Sequence, residues 1–321
     1  MRITTLHEHG GPDVLIPGEA PEPKSGRGEV VIRVHAAGVN RADVLQRQGH
    51  YPSPAGAPPW PGLEVAGGVV TVGESVTQWA VGDAVCALLP GGGYAELVAV
   101  DAGLVLPVPD GLTMVQAAGL VEAACTVWSN LEAADARAGE RLLVHGGSGG
   151  VGHLAIQIGL ALGLEVWATA GGPERAARCA ALGARAIDYR EDDFAQTMRD
   201  AGGADVILDV VGGAYLGRNV GALATGGRLV VIGMQQGARA ELDLGQLLAK
   251  RARVIGTTLR SRPLTERRAI IAGVREHIWP LVPALVRPII HDTVPLESAA
   301  SAHRALESGD VFGKVVLTLD H

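Results

Sequence analysis

Three glycines, Gly147, Gly149 and Gly152, fall in the spacing Gly-x-Gly-x-x-Gly within "RLLVHGGSGGVGHLAIQIG". A chain with 45 glycines produces that pattern by chance. Here an apolar run precedes it and an amphipathic run follows, and a strand-turn-helix context is what the motif requires. Glycine permits a tight turn and close backbone approach, and the helix start adds N–H groups without intrahelical partners and a positive dipole end. The chemistry such a turn supports is the holding of a pyrophosphate.

The next strand decides which dinucleotide. A site for unphosphorylated ribose usually carries Asp or Glu at the end of its second strand. This strand ends "VWATAGGP", with no acid before Glu174. No carboxylate is then in place to repel a 2′-phosphate. Arg175 follows and can form charge-assisted bonds worth roughly 1.5–3 kcal/mol each, or about tenfold to a hundredfold in preference. Tyr189, ending the third strand, lies where it can reach the same phosphate. NADPH is therefore favoured over NADH.

A second stretch with chemical potential is "GVNRADVLQRQGHYP", Gly38 to Pro52. Tyr51 is its one phenol. It can orient or protonate an acceptor, or pack on the cofactor, and the residues alone leave both open. No metal is expected. The ten His are dispersed without ligand spacing, His145 reads as a strand-end residue, and Glu64 reads as a buried structural carboxylate. Cys86, Cys125 and Cys179 are too few and scattered for a disulfide framework or a zinc lobe, and read as small buried hydrophobes.

The elements that must position these residues fall into two regimes. Up to about Thr113, short extended runs such as "EVVIRVHAAGV" and "YAELVAV" are punctuated by Gly and Pro, the spacing of a β domain. A helical stretch, "TMVQAAGLVEAACTVWSNLEAA", leads into alternation. The strands "RLLVHG", "LEVWATA", "RAIDY", "ADVILDVV", "RLVVIG" and "ARVIGTTL" are separated by helical runs. Near-continuous apolar strands imply burial on both faces, hence a doubly wound parallel sheet. Alternation stops after about Arg262. A helix "PLESAASAHRALESG" and a strand "GKVVLTL" then return to the β domain. The expected domains are 1–122 with 263–321, and an inserted dinucleotide domain at 123–262.

The chain has 321 residues, 47% hydrophobic and 19% charged, which supports about two domains with full cores and argues against disorder. A net charge of -7, with no Lys/Arg stripe, argues against nucleic acid or an anionic membrane as partner. No apolar run reaches the length of a membrane span, and "MRITTLHEHGG" lacks a signal-peptide pattern. A cytoplasmic protein is expected.

Over nearly its whole length the sequence resembles the medium-chain dehydrogenase/reductase superfamily, in which a GroES-like β domain is interrupted by a Rossmann domain. "NRADVLQRQGHYPSPAGAPPWPGLEVAG", "ALLPGGGYAEL", "IGTTLRSR" and "FGKVVL" resemble the zinc-independent quinone oxidoreductases, the p53-inducible branch most closely. The resemblance implies that Asn40 approaches the nicotinamide and that Thr126 contacts the cofactor. It implies that Ser148, Gly149, Gly150 and Val151 hold the pyrophosphate, with Gly171, Arg175 and Tyr189 around the adenosine phosphate. Gly233 and Met234 would line the nicotinamide pocket, and Leu259 with Arg260 or Arg262 would return over the cofactor. "ARVIGTTL" would join two sheets edge to edge in a homodimer.

Zinc relatives carry Cys and His where Asn40 and Arg41 stand, and a His-Glu pair where this chain has Leu63 and Glu64. One carboxylate cannot hold zinc. Many relatives also carry a Tyr at the place of Leu45. The implied activity is NADPH-dependent reduction of a quinone. The alternatives are an NADPH-dependent enoyl or enone reductase, with Tyr51 protonating the α-carbon, and an NADPH-binding sensor or structural protein with little turnover.

Overall fold

In the computed structural model, which describes residues 1–320, the chain forms two units. One comprises Met1–Cys125 and the chain from Arg260 onward; the other is Thr126–Leu259. The first unit begins with a small antiparallel pair, β1 (Arg2–Leu6) and β2 (Leu15–Glu19). β3 (Glu29–Val39) follows and runs directly into helix α1 (Arg41–Arg47). Strands β4 (Glu64–Val72), β5 (Ala84–Leu88), β6 (Leu97–Asp101) and β7 (Val105–Pro107) come next.

The helical stretch after Leu112 is two helices, α2 (Met114–Ala118) and α3 (Val121–Ala133), where the sequence suggested one run. Thr113 caps α2, and Gly119 closes it with its N–H turned back to Gln116 and Ala117. A side chain at Gly119 would press on Ile290 and Lys314 at about 3.1–3.4 Å, so close packing explains the glycine that interrupts the helix.

The second unit alternates as its apolar runs suggested. Its elements are β8 (Arg141–Val144), α4 (Gly152–Ala161), β9 (Glu165–Ala170), α5 (Pro173–Ala181) and β10 (Arg185–Asp188). They continue with α6 (Phe194–Asp200), β11 (Ala204–Asp209), α7 (Leu216–Ala222), β12 (Leu223–Val231), α8 (Leu244–Lys250) and β13 (Arg253–Gly256). The sheet is parallel in the order β10-β9-β8-β11-β12-β13. The order reverses beside β8, so the turn after β8 lies at the switch point where open α/β sheets bind ligands.

Helices α6 and α7 have seven residues each, too short to persist alone. Phe194, Met198 and Val220 hold them on Leu143, Ile207 and Leu229, each buried side chain contributing about 1.5–3 kcal/mol. β13 is shorter than "ARVIGTTL" suggested, because its pairing with β12 ends at Val231–Gly256.

Back in the first unit, α9 (Leu264–His277) was not anticipated; only Ile270, Ile271 and Val274 of it are buried, so its apolar signal is sparse. β14 (Ile290–Pro295), α10 (Ala299–Ser308) and β15 (Lys314–Thr318) complete the unit. The main sheet runs β14-β15-β3-β4-β5-β7, with β6 also on β3. β15 pairs antiparallel with the end of β3, Val315 opposite Val39, which brings the C-terminal part of the chain beside Asn40.

Candidate active site

In the second unit the turn after β8 has the properties of a phosphate cradle. A Cβ on Gly147 would stand 2.9 Å from the Ala168 Cβ, and one on Gly152 would overlap the Gly146 carbonyl oxygen. The first and third glycines are therefore demanded by packing. Gly149 differs: the nearest atom to its Cβ position is the Gly146 oxygen at 3.4 Å. Packing within the turn therefore leaves room for a side chain at Gly149. Ser148, Gly149, Gly150 and Val151 are partly exposed along this turn, and α4 starts at Gly152.

Side chains beneath the turn fix it. His145 is buried, with Nδ1 3.0 Å from the Thr169 hydroxyl and Nε2 2.7 Å from the Asn219 amide oxygen. The Phe194 and Tyr215 rings meet it edge-on. Burial pulls its pKa down to about 4, so it is neutral, a structural strut as its strand-end position suggested.

At the next strand end, Gly171 and Tyr189 come together. A Cβ on Gly171 would stand 2.5 Å from the Tyr189 hydroxyl oxygen. Gly172 has φ 91° and donates its N–H to Asp188 Oδ1 at 2.8 Å, and the same oxygen accepts the Arg190 N–H at 3.1 Å. The Asp188 carboxylate is thereby turned onto the backbone. Arg175 sits on the first turn of α5, and an Arg190 guanidinium nitrogen stands 3.4 Å from where a Gly172 Cβ would be. Arg190 was not singled out in the sequence; its adjacency to Tyr189 was the available signal.

Gly233 and Met234 follow β12. Asp209, accepting the Val211 N–H at 2.7 Å, and the Gln236 N–H bond to the Val211 carbonyl at 2.8 Å tie the loops after β11 and β12 together. Met234 is 62% exposed, an apolar side chain left facing solvent. Thr126 is partly buried; its carbonyl accepts from the Ser129 hydroxyl and, at 2.7 Å, from the Asn130 amide. Leu259 is half-buried.

The first unit assembles a different group. Asn40 caps α1, and its N–H donates to Asp43 Oδ2 at 2.8 Å, while the Gly62 N–H donates to Asp43 Oδ1 at 2.8 Å. This cap, Asn-x-x-Asp, was a helix signal in the sequence. Burial raises the Asp43 carboxyl to about 6 despite those two N–H bonds and the charges of Lys314 and Arg260. Beside it, the fully buried Tyr94 hydroxyl lies 3.0 Å from Nε2 of His303, whose pKa burial lowers to about 3.

Glu64 is fully buried, as its sequence context suggested. Lys314, at the start of β15, places Nζ 2.6 Å from Glu64 Oε1 and 2.6 Å from Asn40 Oδ1. Asn40 Nδ2 donates to Glu64 Oε1 at 3.0 Å, and the Glu122 N–H of α3 donates to Glu64 Oε2 at 2.9 Å. The sequence pointed to Glu64 but not to Lys314, 250 residues away.

Tyr51 is half-buried, and burial raises its phenol pKa while Arg260 pulls it down. The Arg260 guanidinium carbon is 5.3 Å from the Tyr51 ring centroid. Arg260 donates through Nε to the Pro90 carbonyl at 2.6 Å and through Nη2 to the Ser53 hydroxyl at 3.1 Å. Of the two arginines in "TLRSR", Arg260 is thus the one that braces the Tyr51 loop, and Arg262 faces Glu266 at 3.5 Å.

The donors present do not fit zinc. Leu63 is buried in the chain position before Glu64, and Glu64 Oε1 is already bonded to an ammonium and an amide. Among the described residues no group of three His, Cys, Asp or Glu is arranged to hold a metal ion. All three cysteines are buried, and burial raises the thiols of Cys86, Cys125 and Cys179.

Residues 26–110 match the alcohol dehydrogenase GroES-like domain, and residues 150–272 match the zinc-binding dehydrogenase domain. The chain is thus a two-part dehydrogenase/reductase of GroES-like and Rossmann-like domains. A quinone oxidoreductase from Rattus norvegicus is 34% identical over 99% of this chain and 98% of its own length. A quinone oxidoreductase from Thermus thermophilus, solved alone and with NADPH, is 37% identical with a TM-score of 0.85 over 99% of this chain and all of that one. The Escherichia coli quinone oxidoreductase complexed with NADPH is 28% identical with a TM-score of 0.89 over the same shares. The chain belongs to the quinone oxidoreductase family.

Proposed function

We propose that this protein is an NADPH-dependent, zinc-independent quinone oxidoreductase. One observation carries the metal-free reading: an ammonium, Lys314 Nζ, is bonded to both Asn40 and Glu64, beside the positions that carry ligands in zinc relatives. A cation there would meet a positive charge and lack thiolate or imidazole donors.

When bound, NADPH supplies the hydride. The chain's own residues bind and orient. Ser148, Gly149, Gly150 and Val151 take the pyrophosphate, and the open space at Gly149 supports this. Gly171, Arg175 and Tyr189, joined by Arg190, take the 2′-phosphate. Thr126, Gly233, Met234 and Leu259 line the cofactor, and Asn40 orients the nicotinamide. Tyr51, a phenol whose pKa burial pushes further up, packs at the nicotinamide end and donates a hydrogen bond to the acceptor. Arg260 holds the Tyr51 loop in position.

Oxidising an alcohol needs a metal or proton relay to stabilise the developing alkoxide. A quinone is electron-poor and its product oxygen is stabilised by the ring, so positioning is the main requirement.

The same reading makes the protein a cytoplasmic homodimer of the p53-inducible branch. The open edge of β13, with exposed Leu244, Leu248 and Val254 nearby, supports pairing with a second copy. No helix of the described residues is long and apolar enough to cross a membrane.

The test is NADPH oxidation by chelator-treated protein across ortho-quinones, para-quinones and enones, repeated with NADH. Quinone turnover with NADPH, unchanged by the chelator, is expected. Enone turnover alone, or NADPH binding without turnover, would refute the proposal.

A further inference from the structure

We infer that Lys314 is a positioning residue that fixes which way the Asn40 amide faces, so that Asn40 offers its ligand a hydrogen-bond donor and no acceptor. The inference rests on the proposed placement of Asn40 at the nicotinamide.

The two ends of an Asn amide have nearly the same shape, so its neighbours select its orientation. An ammonium has donors only, and an ionised carboxylate has acceptors only. Lys314 Nζ lies 2.6 Å from one end of the Asn40 amide, and Glu64 Oε1 lies 3.0 Å from the other. The first end must then be the oxygen and the second the nitrogen. A flip would set NH₂ against NH₃⁺ and oxygen against carboxylate, two repulsions in place of two charge-assisted bonds.

The orienting pair is itself immobilised. The side chains of Lys314 and Glu64 are 2% and 0% exposed, and the Glu122 N–H holds the second Glu64 oxygen at 2.9 Å. Four segments distant in sequence, the end of β3 and the starts of β4, α3 and β15, therefore agree on one orientation. The Asn40 oxygen, with two lone pairs, takes Lys314 on one side and is turned to the Asp43 N–H of the capping box on the other. Among the described residues, the second hydrogen on Nδ2 has only the Gly38 carbonyl as a partner, at a long 3.5 Å. That hydrogen is what Asn40 presents, and it suits a carbonyl oxygen, whether the nicotinamide carboxamide or the acceptor.

The experiment compares kcat/KM for a quinone with NADPH in four proteins: wild type, Asn40→Ala, the charge-balanced pair Glu64→Gln with Lys314→Met, and the triple variant. In the pair, the Glu122 N–H retains the oxygen of the glutamine at 64, whose NH₂ then faces Asn40, and with no ammonium on the other side the Asn40 amide is no longer held in its original sense. Asn40→Ala and the pair should each lose about tenfold, or about 1.4 kcal/mol, and the triple variant should lose no more than twofold beyond the pair. A rise in the NADPH KM would assign the carboxamide as the ligand, and a rise in the quinone KM the acceptor. If Asn40→Ala costs a further full tenfold in the pair, Lys314 does not act through Asn40 and the inference is overturned. If Asn40→Ala costs nothing in the wild type, the placement of Asn40 fails, and this inference fails with it. Asn40→Asp provides a second test whether or not the pair folds: it keeps the bond to Lys314 but removes the donor. It should lose at least as much as Asn40→Ala, and retained activity would refute a donor role.

Discussion

Gly149 and Gly152 are three residues apart in one turn, yet alanine at the two positions should fail in different ways. At Gly152 a methyl overlaps the Gly146 carbonyl oxygen and comes 2.8 Å from the Gly147 Cα. These are backbone atoms, which cannot swing aside as a side-chain tip can. Overpacking of this kind costs about 1–3 kcal/mol, against at most about 1 kcal/mol gained by replacing a helical glycine. A net loss of about 1–2 kcal/mol lowers the melting temperature of a unit this size by about 3–8 °C. At Gly149 the nearest atom is 3.4 Å away, so stability should hold to within about 0.5 kcal/mol. The methyl instead occupies the space assigned to the pyrophosphate, and the NADPH Kd should rise at least tenfold, about 1.4 kcal/mol. Thermal unfolding followed by circular dichroism reads the first effect, and titration of NADPH fluorescence reads the second. If Gly149→Ala binds NADPH within twofold of wild type, or Gly152→Ala melts unchanged, the division of labour derived from the turn is wrong.

Two further outcomes follow from charge. Arg175→Glu should reverse the local sign at the adenosine phosphate and cut the NADPH-to-NADH ratio of kcat/KM by about tenfold to a hundredfold; an unchanged ratio would remove Arg175 from the site. The pH dependence of stability should differ between the units. His145 at about 4 and His303 at about 3 bind protons less readily folded than unfolded, where the value is about 6.5. Their stabilisation is complete above pH 6.5 and declines as pH falls, by about 2 kcal/mol each at pH 5. Asp43, raised to about 6, acts oppositely and returns about 1.4 kcal/mol at pH 5. The first unit therefore nearly cancels His303 against Asp43, while the unit holding His145 loses its share. Calorimetry at pH 7 and pH 5 should show this, with the loss removed by His145→Gln; an equal loss in that variant would contradict the assignment.

Legibility followed the range of the interactions involved. The parallel sheet was readable because its strands are buried on both faces, and runs such as "ADVILD" announce that locally. The glycine turn between β8 and α4 was readable for the same reason: strand, glycines and helix are contiguous. Helix α1 had a local signal too, the Asn40-x-x-Asp43 cap, which the apolar pattern of so short a helix could not reinforce. Lys314 had none. A single lysine in "FGKVVL" looks like a surface charge until β15 pairs with β3 and carries it into the interior beside Glu64. The inward course of Arg260 is likewise set by the Pro90 carbonyl and the Ser53 hydroxyl, 170 and 207 residues away.

The pairing of β15 with β3 also imposes an order on biosynthesis. β3, Asn40 and Glu64 leave the ribosome early, and the whole inserted unit is made before Lys314 appears. At about 5–20 residues per second, that interval is on the order of tens of seconds. Throughout it, the Glu64 carboxylate has no ammonium to neutralise it, and the Ala36–Val39 end of β3 lacks the strand that will pair with it there. The Rossmann-like unit, continuous in sequence, can complete its sheet during that wait. The GroES-like unit cannot bury Glu64 with its charge balanced until β15 emerges, so a nascent chain is expected to carry a finished nucleotide fold long before it carries a finished Asn40 site.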